Sequence, residues 1–220
     1  MSTRAKKPGR PARLSRARVV KATLQLLDRL PAEQVTMARV ARSLGTAPMS
    51  LYTHVRNRDD LFDATAALAL ERLDISVPAD GSWEDQLRSW SRALRAHFRR
   101  YSNVLHVIQQ HGRVALPWLR VRVVLVRILR RAGLDGTTLA NAVSWVSQAV
   151  MGAIMLELMI PPALSAQGDA AAAFRDLDRL DADDRDELLA LLPHMAEHDR
   201  DRFFEFGIDR IVASIRSLAS

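Results

Sequence analysis

Apolar positions recur at three- and four-residue spacing along most of the chain, and no stretch alternates with the two-residue period of a half-buried strand. The pattern predicts an all-α protein. Ser15 is placed to cap a first helix, Ser15–Leu30, in which Val19, Thr23, Leu26 and Leu30 share a face before Pro31 ends it. Thr36 opens a short second helix to Leu44, and Gly45 stops it. A third covers Ala47–His54, with Pro48 tolerated in its first turn. Asn57-Arg58-Asp59 starts a longer helix over 58–75, with Leu61, Thr65 and Leu68 turned inward.

Pro78 and Gly81 break the chain. Beyond them helices are expected from Ser82 or Trp83 to Tyr101, then over 103–111, 117–132, 138–160, 184–198 and 199–218. Residues 161–185, with two prolines and runs of Ala and Asp, read as a connection. The stretch from Gly136 to Leu156 carries no charge and has the length of a membrane span. However, Asn141, Ser144, Ser147 and Gln148 form a polar strip on it, while Leu139, Val143, Val146, Val150 and Ala153 run along another face. That is the pattern of a packed helix, so no membrane partner is expected.

Composition narrows the classes. With 220 residues, 48% of them apolar, the chain has enough material for a folded core. It contains no cysteine, which excludes thiol nucleophiles, iron–sulfur clusters and Cys-ligated zinc. The basic N-terminus has no apolar core after it, so it is not a secretory signal, and a cytoplasmic protein is expected.

Charge is unevenly spread. Residues 1–60 hold 13 Lys and Arg against four acids, +9, whereas the other 160 residues hold 19 against 21, −2. A basic head on a near-neutral body points to a polyanion as the head's partner. Lys6, Lys7, Arg10 and Arg13 lie on an arm over 1–14 that is suited to a minor groove.

Within that head, a helix, a tight turn containing Gly45 and a second short helix make a helix-turn-helix arrangement. Val40 and Leu51 are spaced to face each other in the angle, and Ala41 is small enough to let the helices approach. The second helix then offers Pro48, Met49, Ser50, Tyr52, Thr53 and His54 to a major groove.

The stretch Thr36–Leu61, TMARVARSLGTAPMSLYTHVRNRDDL, closely resembles the DNA-binding domain of the tetracycline-repressor (TetR) family of bacterial transcriptional regulators. Its most specific part is Leu51-Tyr52-Thr53-His54-Val55-Arg56-Asn57-Arg58, and Gly9-Arg10-Pro11 with Leu14-Ser15-Arg16 is similar to the family's leading arm. The resemblance spans residues 8–70. It implies a three-helix DNA-binding domain over 15–75 and a helical effector-binding and dimerisation domain over 76–220. Ser50, Tyr52 and Thr53, with Pro48 and Met49, would face the groove. Thr36, Tyr52, His54 and Arg58 would meet phosphates, with Arg39 and Arg42 flanking. Some members read a base with a long basic residue where this chain has Ala38, so the operator must differ.

One helix-turn-helix reads few base pairs, so a homodimer on two half-sites of double-stranded DNA is expected. Phe204, Ile208, Ile211, Ile215 and Leu218 form an a/d-like stripe that, paired with Val143, Val146 and Val150, could close a four-helix bundle across a two-fold axis. The alternative is that both stripes pack within one chain. The middle helices place His97, Tyr101, His106, Gln109, Trp118, Trp145, Gln148 and Met151 in apolar surroundings. In TetR-like proteins such helices enclose a small-molecule effector. An effector that fits only a dimer with wrongly spaced reading heads would release the operator through a small swing of the 58–75 helix. A repressor is the reading the resemblance favours.

The rival class is an enzyme. His194-Met195-Ala196-Glu197-His198 matches the H-x-x-E-H pattern of inverted zinc peptidases. A third carboxylate ligand is needed well downstream, and Glu205 is the only Glu among the last 22 residues. No phosphate loop or nucleophile elbow appears, so no catalysis, cofactor or metal is expected.

Overall fold

The computed structural model describes residues 14–111, 116–159, 177–196 and 199–219, and every regular element among them is helical. The basic arm at 1–13, most of the 161–185 connection, Glu197 and His198 lie outside the described residues. The chain divides into two compact units, Met1–Arg72 with Tyr101–Val114, and Leu73–Arg100 with Ala115–Ser220.

In the first unit α1 spans Arg16–Leu27, and the Ser15 hydroxyl accepts from the Arg18 N–H at its N-terminus. It ends three residues before the expected Leu30, because the residue preceding Pro31 is pushed out of the helical region. A 3₁₀ turn, Ala32–Gln34, leads to α2, Met37–Ser43, where the Thr36 hydroxyl caps the Arg39 N–H. Gly45 takes φ 66° at the end of α2, a conformation that side chains resist, and the Thr46 N–H closes back on the Ala41 carbonyl.

The next element departs from expectation. In place of a helix over 47–54 there is a single 3₁₀ turn, Pro48–Leu51, followed by a turn through residue 54. Its bonds span three residues (Ser50 N–H to Ala47 O, Tyr52 N–H to Met49 O), as suits a segment too short to propagate an α-helix. It ends where Val55 is buried and Asn57 turns to cap α3, Arg58–Glu71, by accepting from the Asp60 N–H.

The unit's core joins Val19, Leu24 and Leu27 of α1, Val40 and Ala41 of α2, Leu51, and Leu61 and Phe62 of α3. Fully burying a leucine such as Leu51 contributes about 2 kcal/mol, which anchors the short turn that its own bonds could not hold. A third layer comes from α5, Ser102–His111, whose Val104 and Val107 enter the same core together with Tyr101 just before it. Asn103 donates to the Leu27 carbonyl at the open end of α1. The reading unit therefore includes a helix beyond the expected boundary at residue 75.

The second unit is built from α4 (Trp83–Arg100), α6 (Leu116–Arg131), α7 (Gly136–Met159), α8 (Ala182–Ala196) and α9 (Arg200–Leu218). α4 packs on α6, α7 and α9, and α7 packs on α6 and α9. Trp90, Leu94, Leu125, Leu129, Val146, Ile154 and Ile215 form the heart of this layer. By length and composition α7 could cross a membrane, yet its inner stripe of Val143, Val146, Val150 and Ile154 is buried against these helices. Ion pairs tie α4 to α9 in antiparallel register: Glu84 to Arg216, Arg88 to Asp209, Arg92 to Glu205, and Arg95 and Arg99 to Asp201.

Candidate nucleic-acid interface

The helix-turn-helix angle closes as its residue types require. Val40, Ala41 and Leu51 are fully buried at the crossing, so the side chains around Leu51 must point outward. Met49 is 75% exposed and Tyr52 45%, high for apolar groups in a monomer. Pro48 and Thr53 are exposed beside them, and Ser50 and His54 are half-buried. The Thr53 hydroxyl donates to the Ser50 carbonyl, which fixes its rotamer at the exposed rim. Thr36 and Arg42 are exposed on α2, and Arg39 donates to the Gln34 carbonyl at 3.1 Å.

Two arginines have other duties. Arg58 turns inward: its Nη2 donates to Ala32 O at 2.7 Å, its Nε to Val35 O at 3.3 Å, and the guanidinium lies 4.2 Å from the Phe62 ring centroid. These two carbonyls engage Nε and Nη2 of the cation for which the resemblance implied a phosphate. Arg16, placed by sequence only in the stretch resembling the leading arm, donates through Nη1 and Nη2 to the two oxygens of Asp60 at 2.9 Å each. It also reaches the His54 carbonyl at 3.0 Å. Asp60 accepts in addition from the Arg56 N–H. The Arg16 guanidinium first, then the Arg56 N–H, hold the Asp60 carboxyl far below the usual carboxylate range. Nothing in the periodicity marks such a contact, since its partners lie 38 and 44 residues apart in sequence.

Residues 19–65 match the family of bacterial regulatory proteins named for tetR, and residues 77–218 match the tetracyclin repressor-like C-terminal domain. The chain belongs to the TetR family. Its relatives include the transcriptional repressor DrrR1 of Streptomyces coeruleorubidus, 30% identical over 92% of this chain and 77% of that protein. The class D tetracycline repressor of Escherichia coli is 39% identical over 41% of this chain and 42% of its own length. Among solved structures, the Streptomyces coelicolor TetR family protein ActR in complex with actinorhodin superposes with a TM-score of 0.73 at 27% identity, covering 93% of this chain and 96% of that one. The protein is a DNA-binding regulator of transcription with a helix-turn-helix head and a helical C-terminal domain.

The TetR body distributes the expected effector residues widely. His97 is buried on α4, edge-on to Phe98, and burial pushes its pKa down to about 4, so the ring is neutral at physiological pH. Trp118 is half-buried with its ring edge toward Phe98, and Met151 is half-buried on α7. Trp145 and Gln148, by contrast, are exposed on the outer face of α7. Tyr101 lies in the core of the reading unit, its hydroxyl 3.4 Å from Arg72 Nη1. The side chains of His106 and Gln109 lie outside the described residues.

The expected dimer seam is corrected. Val143, Val146, Val150, Phe204, Ile208, Ile211 and Ile215 are all buried within the chain itself, at 7% exposure or less. They are the inner faces of α7 and α9, consumed by packing on each other and on α4. The outer faces of the same helices carry Trp145, Leu156 and Met159 on α7, and Phe203 and Phe206 on α9, at 42–62% exposure. The a/d spacing reported a buried stripe correctly and could not report whose core it joined. Of the peptidase-like pattern, His194 is exposed near the end of α8. No group of three potential metal ligands occurs among the described residues.

Proposed function

We propose that this TetR-family regulator is a cytoplasmic repressor that binds a palindromic operator as a homodimer and leaves it when a small organic effector occupies its body. The single observation that carries the DNA-reading part is the exposure of Met49 and Tyr52 beside a fully buried Leu51, within a head, residues 1–60, whose net charge is +9. Ser50, Tyr52 and Thr53 supply hydroxyls for base edges, Pro48 and Met49 meet thymine methyls, and Thr36, Arg39, Arg42 and His54 line the phosphate side.

Dimerisation is carried by the outer faces of α7 and α9. Trp145, Gly152, Leu156 and Met159 recur at helical spacing on one, Phe203, Phe206 and Gly207 on the other, where large apolar groups alternate with glycines that let helices approach. The effector reading rests on the body's neutral buried His97 and the Phe98–Trp118 aromatic pair, with the half-buried Met151 on α7 as an adaptable apolar group. The similar ActR, solved in complex with actinorhodin, supports a small-molecule effector for this chain.

A reporter assay tests the sign of regulation. A sequence selected by the protein from random DNA is placed between a promoter and a reporter gene in a bacterial host. Expression of the chain is expected to lower reporter output, and Tyr52→Ala to restore it. An output that rises with the chain, or that ignores the inserted sequence, contradicts the proposal.

A further inference from the structure

The reading segment is weak on its own. Pro48–Leu51 is one 3₁₀ turn, and isolated turns of this length do not hold a shape in water. Base recognition nevertheless requires side chains placed within a fraction of an ångström. The support comes from the first turn of α3. Arg58, its first residue, grips the carbonyls of Ala32 and Val35, which lie just before the Thr36 cap of α2. Asp60, two residues on, accepts both arms of Arg16 and the N–H of Arg56, while Arg16 also holds the His54 carbonyl, where the reading turn ends. The same turn of α3 thus fastens the entrance of the helix-turn-helix and its exit.

We propose that Arg16, Arg58 and Asp60 form a brace that positions the recognition segment for operator discrimination. None of the three reads a base. The proposal rests on the DNA-reading assignment above and adds to it the residues that make the reading selective. Arg16 is about half exposed, so its ion pair contributes little to global stability. Its bidentate geometry instead supplies orientation, which a lysine ammonium cannot reproduce at two oxygens and a carbonyl together. Loss of the brace lets the 48–54 segment drift, which weakens base contacts while leaving the general attraction to phosphates intact.

The test uses the full chain and its Arg16→Ala, Asp60→Asn and double variants. Each is titrated against the operator obtained by selection and against a shuffled duplex of equal length, at several salt concentrations. Arg16→Ala is expected to weaken operator binding by about tenfold, the worth of one well-made base contact, with shuffled-duplex binding and the salt slope unchanged. Asp60→Asn keeps the shape of the side chain and an acceptor for the Arg56 N–H, so it covers the case in which Arg16→Ala fails to fold. It is expected to give a loss of the same order, and the double variant no further loss. Equal weakening on both duplexes, with the salt slope reduced by about 1, would make Arg16 a phosphate contact and overturn the brace. Unchanged discrimination in both single variants overturns it as well. A wild-type chain that selects no consensus sinks the DNA-reading assignment and the brace together, whereas a clear consensus kept by the variants sinks the brace alone.

Discussion

Arg95 and Glu157 face each other at 2.7 Å with both side chains about nine-tenths buried, joining α4 to α7 inside the C-terminal unit. Arg95 also donates to the Arg200 carbonyl, pairs with Asp201 at 2.8 Å and stacks 4.5 Å from the Phe204 ring centroid. Burial opposes its charge, but Glu157 and Asp201 more than offset that cost and leave its pKa raised. One guanidinium thereby fastens three helices.

Removing Glu157 leaves that buried cation facing the exposed Asp201 as its carboxylate, beside the Arg200 carbonyl and the Phe204 ring. Glu157→Ala is expected to lower unfolding free energy by about 3–5 kcal/mol, measured by urea denaturation. Arg88→Ala, which removes a more exposed pair with Asp209, is expected to cost less than about 1 kcal/mol. Similar costs for the two variants would show that burial does not decide the ranking.

His97 gives the protein a pH dependence of known sign. Its pKa falls from 6.5 to about 4 in the folded chain because burial penalises the imidazolium. The unfolded chain therefore binds the proton first as pH drops, so this contribution to stability is full above about 6.5 and is lost progressively toward about pH 4. The loss amounts to roughly 3 kcal/mol at most. Thermal midpoints measured across that range are expected to fall more steeply for the wild type than for His97→Gln, and identical slopes would remove His97 from the account.

Much of the reading head was legible in the sequence. The Ser15 and Thr36 caps, the start of α3 after Asn57, the Gly45 stop and the Val40–Leu51 crossing follow from local chemistry, because caps and turns depend on neighbours within a few residues. The Arg16–Asp60 contact was not legible, since it joins helices 44 residues apart and leaves no periodic trace. The assignment of Tyr101 to the reading unit was hidden for a related reason: an apolar stripe declares that a face is buried and not against which unit. Ile208 and Phe206 make the same point two residues apart on α9, one at 2% exposure and the other at 58%.

Gly45 has space around it but an unfavourable backbone. No atom lies within 4 Å of an added Cβ, so Gly45→Ala meets only the strain of φ 66°. A cost of about 1–2 kcal/mol is expected in urea denaturation. No loss at all would mean that the turn relaxes to another conformation, which the operator affinity of the variant would then report.

The proposed dimer face separates two substitutions on one helix. Phe206→Glu is expected to give a folded monomer in sedimentation at micromolar concentration, because the side chain is exposed in the single chain. Ile208→Ala, in the core, is expected to lower stability by about 2–5 kcal/mol. A Phe206→Glu chain that remains dimeric would place the interface elsewhere.

Selection of bound sequences from a randomised duplex pool, at fixed moderate salt, tests the central claim most directly. The wild-type chain is predicted to enrich a two-fold-symmetric consensus with half-sites about one helical turn apart, or a multiple of it, and Tyr52→Ala to lose that consensus while retaining salt-sensitive binding. A pool that yields no consensus, with affinity that merely fades as salt rises, would reduce the basic head to a nonspecific polyanion surface and contradict the account.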